Sequence, residues 1–328
     1  MEHNTLICAG VDVSKDKLDI FIYYPSQIES QHKKHHLVVS YDADGLSKMD
    51  AFMAIHQVQR IGFEASGGYE WRLLVHLRKG AIEAARFQPF QIKAFAKSKL
   101  RRVKNDKLDA EIIAQFTACQ MELPPLPDAN LDGLADHLTY IEQIEGQIMA
   151  LKTMLETTHD KRIIGCRTRE IATLERRKLA EIALLTKTLC TSKSMKRKME
   201  LLVSIKGVGV RTALAMLVRM PELGDMTREQ AAAMAGVAPY DDDSGKRKGS
   251  RHIVGGRARL RKSLFMSAFV AARWNPDLKS FYKRLRDHGK SHLVAVVATA
   301  RKLIILANAI VARNTLWLPE KRIEMIAK

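Results

Sequence analysis

At 328 residues, 46% of them apolar, the chain can bury two or three cores and is globular rather than disordered. Its 54 Lys+Arg against 36 Asp+Glu give a net charge of +18, the electrostatic footprint of a protein that binds phosphate backbones. Four widely spaced cysteines without a CxxC pair argue against a zinc ribbon or disulfide scaffold and suit reduced thiols in the cytosol.

The N-terminal third reads as strands and helices in alternation. The run Leu6-Ile7-Cys8-Ala9-Gly10-Val11 predicts a strand over 5–11, with Asp12 at its end. After a turn at Ser14-Lys15-Asp16, residues 18–24 and 36–40 predict two more strands in an antiparallel meander. A helix over 43–55, a strand over 57–63 ending at Glu64, a helix over 69–79, a strand over 82–87 and helices over 90–98 and 106–119 follow. Three strands, then helix, strand, helix, strand, helix is the order of the ribonuclease-H-like α/β fold. No signal peptide is read before the first strand.

Leu123-Pro-Pro-Leu-Pro127 reads as a stiff linker. Beyond it Leu134, Leu138, Ile141, Ile144, Ile148, Leu151 and Leu155 recur at spacings of four and three, and Ile171, Leu174, Ile182, Leu185 and Leu189 form a second apolar series. Two long helices meeting around Gly165 are expected, as a hairpin within one subunit or as a coiled coil between subunits. From near Met199 a third unit begins. Its Leu201–Leu214 segment has the helix–hairpin–helix pattern, with Gly207 and Gly209 opening a helix whose N–H groups could meet a DNA phosphate. The same GxG turn also serves plain packing. Arg301 and Lys302, inside the apolar stretch 293–311, indicate a core helix rather than a membrane span. The expected divisions are 1–122, 128–198 and 199–328.

The chemistry concentrates in four acids. Asp12 and Glu64 end two strands, while Asp106 and Asp109 share one helical turn. Carboxylates brought together in this way repel unless a hard cation such as Mg²⁺ neutralises them. Two such ions about 4 Å apart can clamp the attacking and leaving oxygens of phosphoryl transfer. Residues 244–262 add eight Lys/Arg and no acid. Among them, Lys246, Arg247, Lys248, Arg251, Arg257, Arg259, Arg261 and Lys262 are candidate nucleic-acid contacts, with Gly207 and Gly209. Asp16, Asp19 and Glu70 read as bystanders, the histidines 32, 35 and 36 as solvated, and Trp71, Trp274 and Trp317 as packing residues.

Taken together the chain resembles the DEDD insertion-sequence transposases, kin of the Piv DNA invertase and now understood as bridge-RNA-guided recombinases. The resemblance rests on Gly10-Val-Asp12-Val-Ser-Lys, Glu64-Ala-Ser-Gly-Gly-Tyr69, Lys104-Asn-Asp106-Lys-Leu-Asp109-Ala, Ile205-Lys-Gly-Val-Gly209, Ala235-Gly-Val-Ala-Pro239, Ser244-Gly245 and Gly255-Gly-Arg-Ala-Arg-Leu-Arg-Lys262. It implies a RuvC-like domain at 1–122 whose Asp12, Glu64, Asp106 and Asp109 bind Mg²⁺, a coiled-coil hairpin at 128–198 and an all-α transposase domain at 199–328. It further implies that Ser244 is the nucleophile attacking a DNA phosphodiester, and that a structured bridge RNA chooses the target by base pairing. A bacterial cytoplasmic protein acting at the nucleoid, on double-stranded DNA, is the corresponding setting.

One serine per chain and several strands to cut call for a homodimer or tetramer, for which the hairpin is the expected interface. The metal tetrad of one subunit is expected to serve Ser244 of another. Without the resemblance, Ser244-Gly245 reads as a turn and Ser250 as a competing hydroxyl. Two other readings stay open: a Mg²⁺-dependent RuvC-like nuclease that hydrolyses branched DNA with water, and an architectural binder. Transposition and site-specific inversion are not distinguished by these residues.

Overall fold

The computed structural model describes residues 6–25, 35–99, 106–127, 129–240, 249 and 251–318, with only the backbone of Asp106, Lys107 and Asn130. It divides into two compact units, Met1–Asp128 and Ala129–Lys328.

In the first unit β1 (Cys8–Val13), β2 (Lys17–Tyr23), β3 (His36–Ser40), β4 (Arg60–Glu64) and β5 (Glu83–Phe87) form one sheet in the order β3-β2-β1-β4-β5. β1, β2 and β3 pair antiparallel, whereas β4 and β5 run parallel to β1. Between and after them come α1 (Ala43–Ile55), α2 (Trp71–Leu77), α3 (Pro89–Ser98) and α4 (Asp106–Ala118). This is the expected element order, and the mixed α/β architecture is compatible with a DEDD nuclease fold.

The two sheet faces carry different cores, as the period of two requires. Ala9, Val11, Leu18, Ile20, Ile61 and Phe63 pack with Leu46, Met49 and Met53 of α1 and Leu73 and Leu74 of α2. On the other face Ala85 and Phe87 pack with Ile92 of α3 and Ile112 and Ile113 of α4. That face is bare backbone where it matters. Gly10 pairs with Gly62 across β1 and β4, and α4 lies directly on both. A Cβ at Gly10 would overlap the Ala110 carbonyl oxygen and the Ala114 nitrogen; at Gly62 it would overlap the Thr117 hydroxyl.

The second unit is mostly helical: α5 (Ala129–Glu156), α6 (Lys161–Leu189), α7 (Lys193–Ser204), α8 (Val210–Arg219), α9 (Arg228–Met234), α10 (Ala258–Trp274), α11 (Pro276–Asp287) and α12 (His292–Arg313). It is not purely α, because β6 (Pro239–Tyr240) and β7 (His252–Ile253) form a short antiparallel ladder. α12 is long and apolar enough to cross a membrane, but Val296, Ala300, Leu303, Ile304 and Ala307 lie in the unit's core, as the sequence suggested.

The turn between α5 and α6 lies at 157–160 rather than at Gly165, which is inside α6. Asp160 decides this by accepting from Ile163 N at 3.0 Å as N-cap, which outweighs the roughly 1 kcal/mol cost of a helical glycine. The stripe residues Leu138, Ile141, Ile144 and Ile148 are buried within the unit, as are Leu185 and Leu189. Met149, Met154, Leu179 and Leu184 remain exposed. Met199 lies inside α7. Trp71 and Trp274 are 44% and 64% exposed, contrary to their reading as packing residues; of the three, Trp317 packs against the core.

Candidate functional site

β1 and β4 fix two of the four candidate acids. Val11 pairs with Phe63, and Asp12 and Glu64 are the next residues on each strand. Both lie two residues beyond the Gly10–Gly62 couple, so both project on the face that α4 covers. Ala110, the neighbour of Asp109, lies against Gly10. Thus Asp12, Glu64 and Asp109 belong to one region of one face, and the glycine contact sets the distance of α4 from it. Asp106 opens the same helix. Among the described residues no three His, Cys, Asp or Glu side chains close up into a group able to hold a metal ion, and Asp12, Glu64 and Asp109 are each engaged in an interaction. Their donor chemistry, all carboxylate oxygen, fits a hard divalent cation.

Two acids read as bystanders have definite work beside this region. Asp19 is directly opposite Asp12 in the β1–β2 ladder and is only 5% exposed. Lys17 Nζ at 3.0 Å and His36 Nε2 at 3.2 Å hold it, so His36 is not merely solvated. Glu70 is 6% exposed. It accepts from Ser66 N at 3.1 Å, Gly68 N at 2.8 Å and Ser66 Oγ at 3.2 Å, with Arg86 Nη1 at 3.5 Å. Glu70 therefore organises the loop that leaves Glu64. Cys8 shares the α4 face, but burial, against a smaller opposing effect of Arg60, pushes its thiol up to about 11, so it is no thiolate nucleophile.

In the second unit the two candidate glycines differ. Gly207 has φ +107°, and a Cβ there would come within 2.6 Å of Ala271 Cβ, so close packing against α10 requires this glycine. Gly209 is the N-cap of α8 with open space around it, and an approaching group could reach the helix N-terminus there. The basic run divides likewise. Arg257 holds Glu222 with Nη1 and Nη2, both at 2.8 Å, and also donates to Arg219 O at 2.8 Å. Burial favours a higher Glu222 pKa, but Arg257's hydrogen bond and charge outweigh it and the pKa is lowered. Arg261 donates to the carbonyl oxygens of Gly236 and Gly255 at 3.2 and 2.7 Å. Arg251, Arg259 and Lys262 are exposed. Ser244, Lys246, Arg247, Lys248 and Ser250 lie outside the described residues; the ladder of β6 and β7 flanks their segment, pairing Tyr240 with His252.

Sequence reasoning passed over Glu142 and Glu145 of α5, whose carboxylates meet Arg211, Arg219 and Arg259. Their spacing of three on a helix was the available signal.

A carboxylate-bearing face on a mixed sheet, joined in one chain to a basic helical unit, suits a DNA-processing protein, and comparison with known proteins gives that class. Residues 9–161 match the model of the DEDD transposases of the IS110 type, and residues 199–283 that of the transposase IS116/IS110/IS902 family. Both matches are to transposases of the IS110 type. It is 34% identical over 118 residues to the insertion element IS110 uncharacterized 43.6 kDa protein of Streptomyces coelicolor, covering 35% of this chain but only 29% of that protein. It is 29% identical over 274 residues to the pilin gene-inverting protein of Moraxella bovis, covering 76% of this chain and 79% of that one. A 32% identical match over 126 residues to the insertion element IS900 uncharacterized 42 kDa protein of Mycobacterium paratuberculosis spans 29% of that relative.

Proposed function

We propose that this protein cuts and rejoins double-stranded DNA, with Asp12, Glu64, Asp106 and Asp109 as the ligands of Mg²⁺ and Ser244 as the nucleophile. The register of β1 and β4 carries the reading: it sets Asp12 and Glu64 level on the face under α4, beside the turn that bears Asp109. Bound there, Mg²⁺ would supply Lewis-acid stabilisation of charge on the phosphoryl oxygens. The chain's own groups do the rest. Ser244 Oγ loses its proton and bonds to phosphorus, the P–O bond to the departing strand breaks, and that strand's oxygen is protonated. The phosphoserine link keeps the phosphodiester energy, and attack by another strand's hydroxyl reverses the step and releases the serine. Lys246, Arg247 and Lys248 neutralise the attacked phosphate, and Gly209 admits a backbone phosphate to the start of α8.

Either transposition or inversion fits this chemistry; similarity to a pilin gene-inverting protein favours keeping inversion in view. Target choice is assigned to a structured guide RNA, which pairs with DNA while the protein holds backbones. Subunits act as a homodimer or tetramer at the bacterial nucleoid. The decisive experiment incubates protein with end-labelled target DNA and Mg²⁺, denatures it, and looks for label on the polypeptide. A covalent adduct that Ser244→Ala abolishes is expected; cleavage without an adduct, even when rejoining is stalled, would mean hydrolysis by water. Sequencing of co-purifying RNA tests guidance, with one discrete structured species expected and only random fragments counting against it.

A further inference from the structure

A cavity of about 460 Å³ in the second unit is walled by α5, α8 and α10, with Glu142, Glu145, Arg211, Arg259 and Lys262 among its lining residues. Glu142 faces three guanidiniums at once. Its Oε2 accepts from Arg219 at 3.1 Å and lies 3.4 Å from Arg259, while its Oε1 is 3.7 Å from Arg211. Arg211 also grips Glu145 through Nε and Nη2 at 2.9 and 3.0 Å. Three guanidiniums thus meet two carboxylates, with Lys262 also lining the cavity.

The network does not close on itself. Arg211 Nη1, Arg219 Nε and Glu142 Oε1 are buried without a hydrogen-bond partner among the described residues. Each such atom has given up its hydrogen bond to water without gaining another. Burial lowers the Arg219 pKa, and the like charges of Arg259 and Arg211 add to this against the opposing pull of Glu142. A purely structural ion network stabilises only when its charges and hydrogen bonds are satisfied. Here positive charge and donors are in surplus, and Arg259 and Lys262 stand exposed beside the opening. Arg211 is in the first turn of α8, where the helix dipole also favours an anion.

We propose that this cavity binds a backbone phosphate of a polynucleotide, and that Glu142 is the resident anion from which the phosphate takes over Arg259. The proposal rests on the nucleic-acid reading above. It assigns Glu142 a second role, since the carboxylate that holds the arginines together also competes with the substrate. Guanidinium groups suit both partners, because their fork matches carboxylate and phosphate alike.

The test measures binding of the full-length protein to labelled duplex DNA and to labelled single-stranded RNA over a series of salt concentrations. Arg259→Gln and Lys262→Gln change exposed side chains and should leave folding intact. Each should lower the log–log salt slope by about 0.9 on duplex or about 0.7 on single strands, a loss of roughly five- to tenfold in affinity at 0.1 M salt. Glu142→Gln, which keeps an oxygen for Arg219, should bind several-fold more tightly. Slope loss on the duplex alone assigns the phosphate to DNA; loss on the single strand alone assigns it to RNA. Should Glu142→Gln fail to fold by circular dichroism, the two surface variants decide. Unchanged slopes in both variants, with steep wild-type binding, would overturn the proposal. A wild-type protein with no salt-dependent binding to either probe would instead overturn the nucleic-acid reading beneath it.

Discussion

The first unit sets acids along one sheet face and the second carries nearly all of the chain's excess positive charge, and they hold these groups by different means. In the first, Asp12 and Glu64 are fixed by backbone pairing of β1 with β4, and α4 is held against the sheet by two glycines. Position there comes from main-chain geometry, which no single side chain controls. In the second, Arg211, Arg219, Arg257 and Arg259 stand on or beside helices and are held by Glu142, Glu145 and Glu222. Position there comes from side-chain ion pairs that an incoming phosphate can replace. Rigid carboxylates suit a site that must organise a cation; exchangeable arginines suit a surface that must accept and release a polymer.

Substitutions can break this contrast at either end. The largest effect is expected at the reacting groups. Ser244→Ala should remove the covalent adduct entirely, while Ser250→Ala should leave it. Asp109→Ala mixed with Ser244→Ala should recover activity that neither shows alone if sites are shared between subunits; a dead mixture would mean that each chain builds its own site. Asp12→Ala or Glu64→Ala should slow strand cleavage by about 10³-fold or more, the rate equivalent of several kcal/mol of charge stabilisation, with DNA binding retained. Normal recombination by Asp12→Ala would point to the architectural reading.

Next come the close approaches. Gly10→Ala forces α4 off the sheet and should destabilise the first unit by about 3 kcal/mol, while the second unit's own melting transition stays put. Gly207→Ala should likewise lower the stability of the second unit by about 1–3 kcal/mol through its clash with Ala271. Gly209→Ala, with open space around it, should cost little stability and should weaken nucleic-acid binding. The smallest effect belongs to Glu222. Its folded pKa lies below the ordinary 4.5, so its pairing with Arg257 stabilises above that pH and is lost as pH falls through the lowered value. Both side chains are partly exposed, so the loss should stay under about 1 kcal/mol, and Arg257→Gln should erase it from an acid titration of thermal stability.

Much of the first unit was legible because β1 and β4 are buried on both faces and carry an acid at or next to their ends, so apolar runs such as Ile61-Gly62-Phe63 mark both the strand and its last residue. The expected strand over 36–40 and helix over 43–55 coincide with β3 and α1. What composition could not reveal was cross-strand geometry. Asp19 looked incidental until the antiparallel register set it opposite Asp12, and Glu70 until its loop folded back onto it. The hairpin turn was missed because a glycine is a louder local signal than an Asp N-cap, although the cap determines where α6 starts. In the basic run, sequence treated all arginines alike. Only tertiary contacts separate Arg257, committed to Glu222, from exposed Lys262.

The glycine seat of α4 has a consequence for how the protein is made. β1 begins at Cys8, yet the helix that covers it begins at Asp106. β4 and β5 also join by parallel pairing, which needs long crossovers. Contacts so distant along the chain form late, because loop closure comes before any reward from packing. At about 5–20 residues per second of synthesis, the growing chain waits several seconds between emergence of Asp12 and emergence of Asp109. During that time the sheet face that carries Asp12 lacks the helix that bears Asp109. Only when α4 settles onto Gly10 and Gly62 is that face covered.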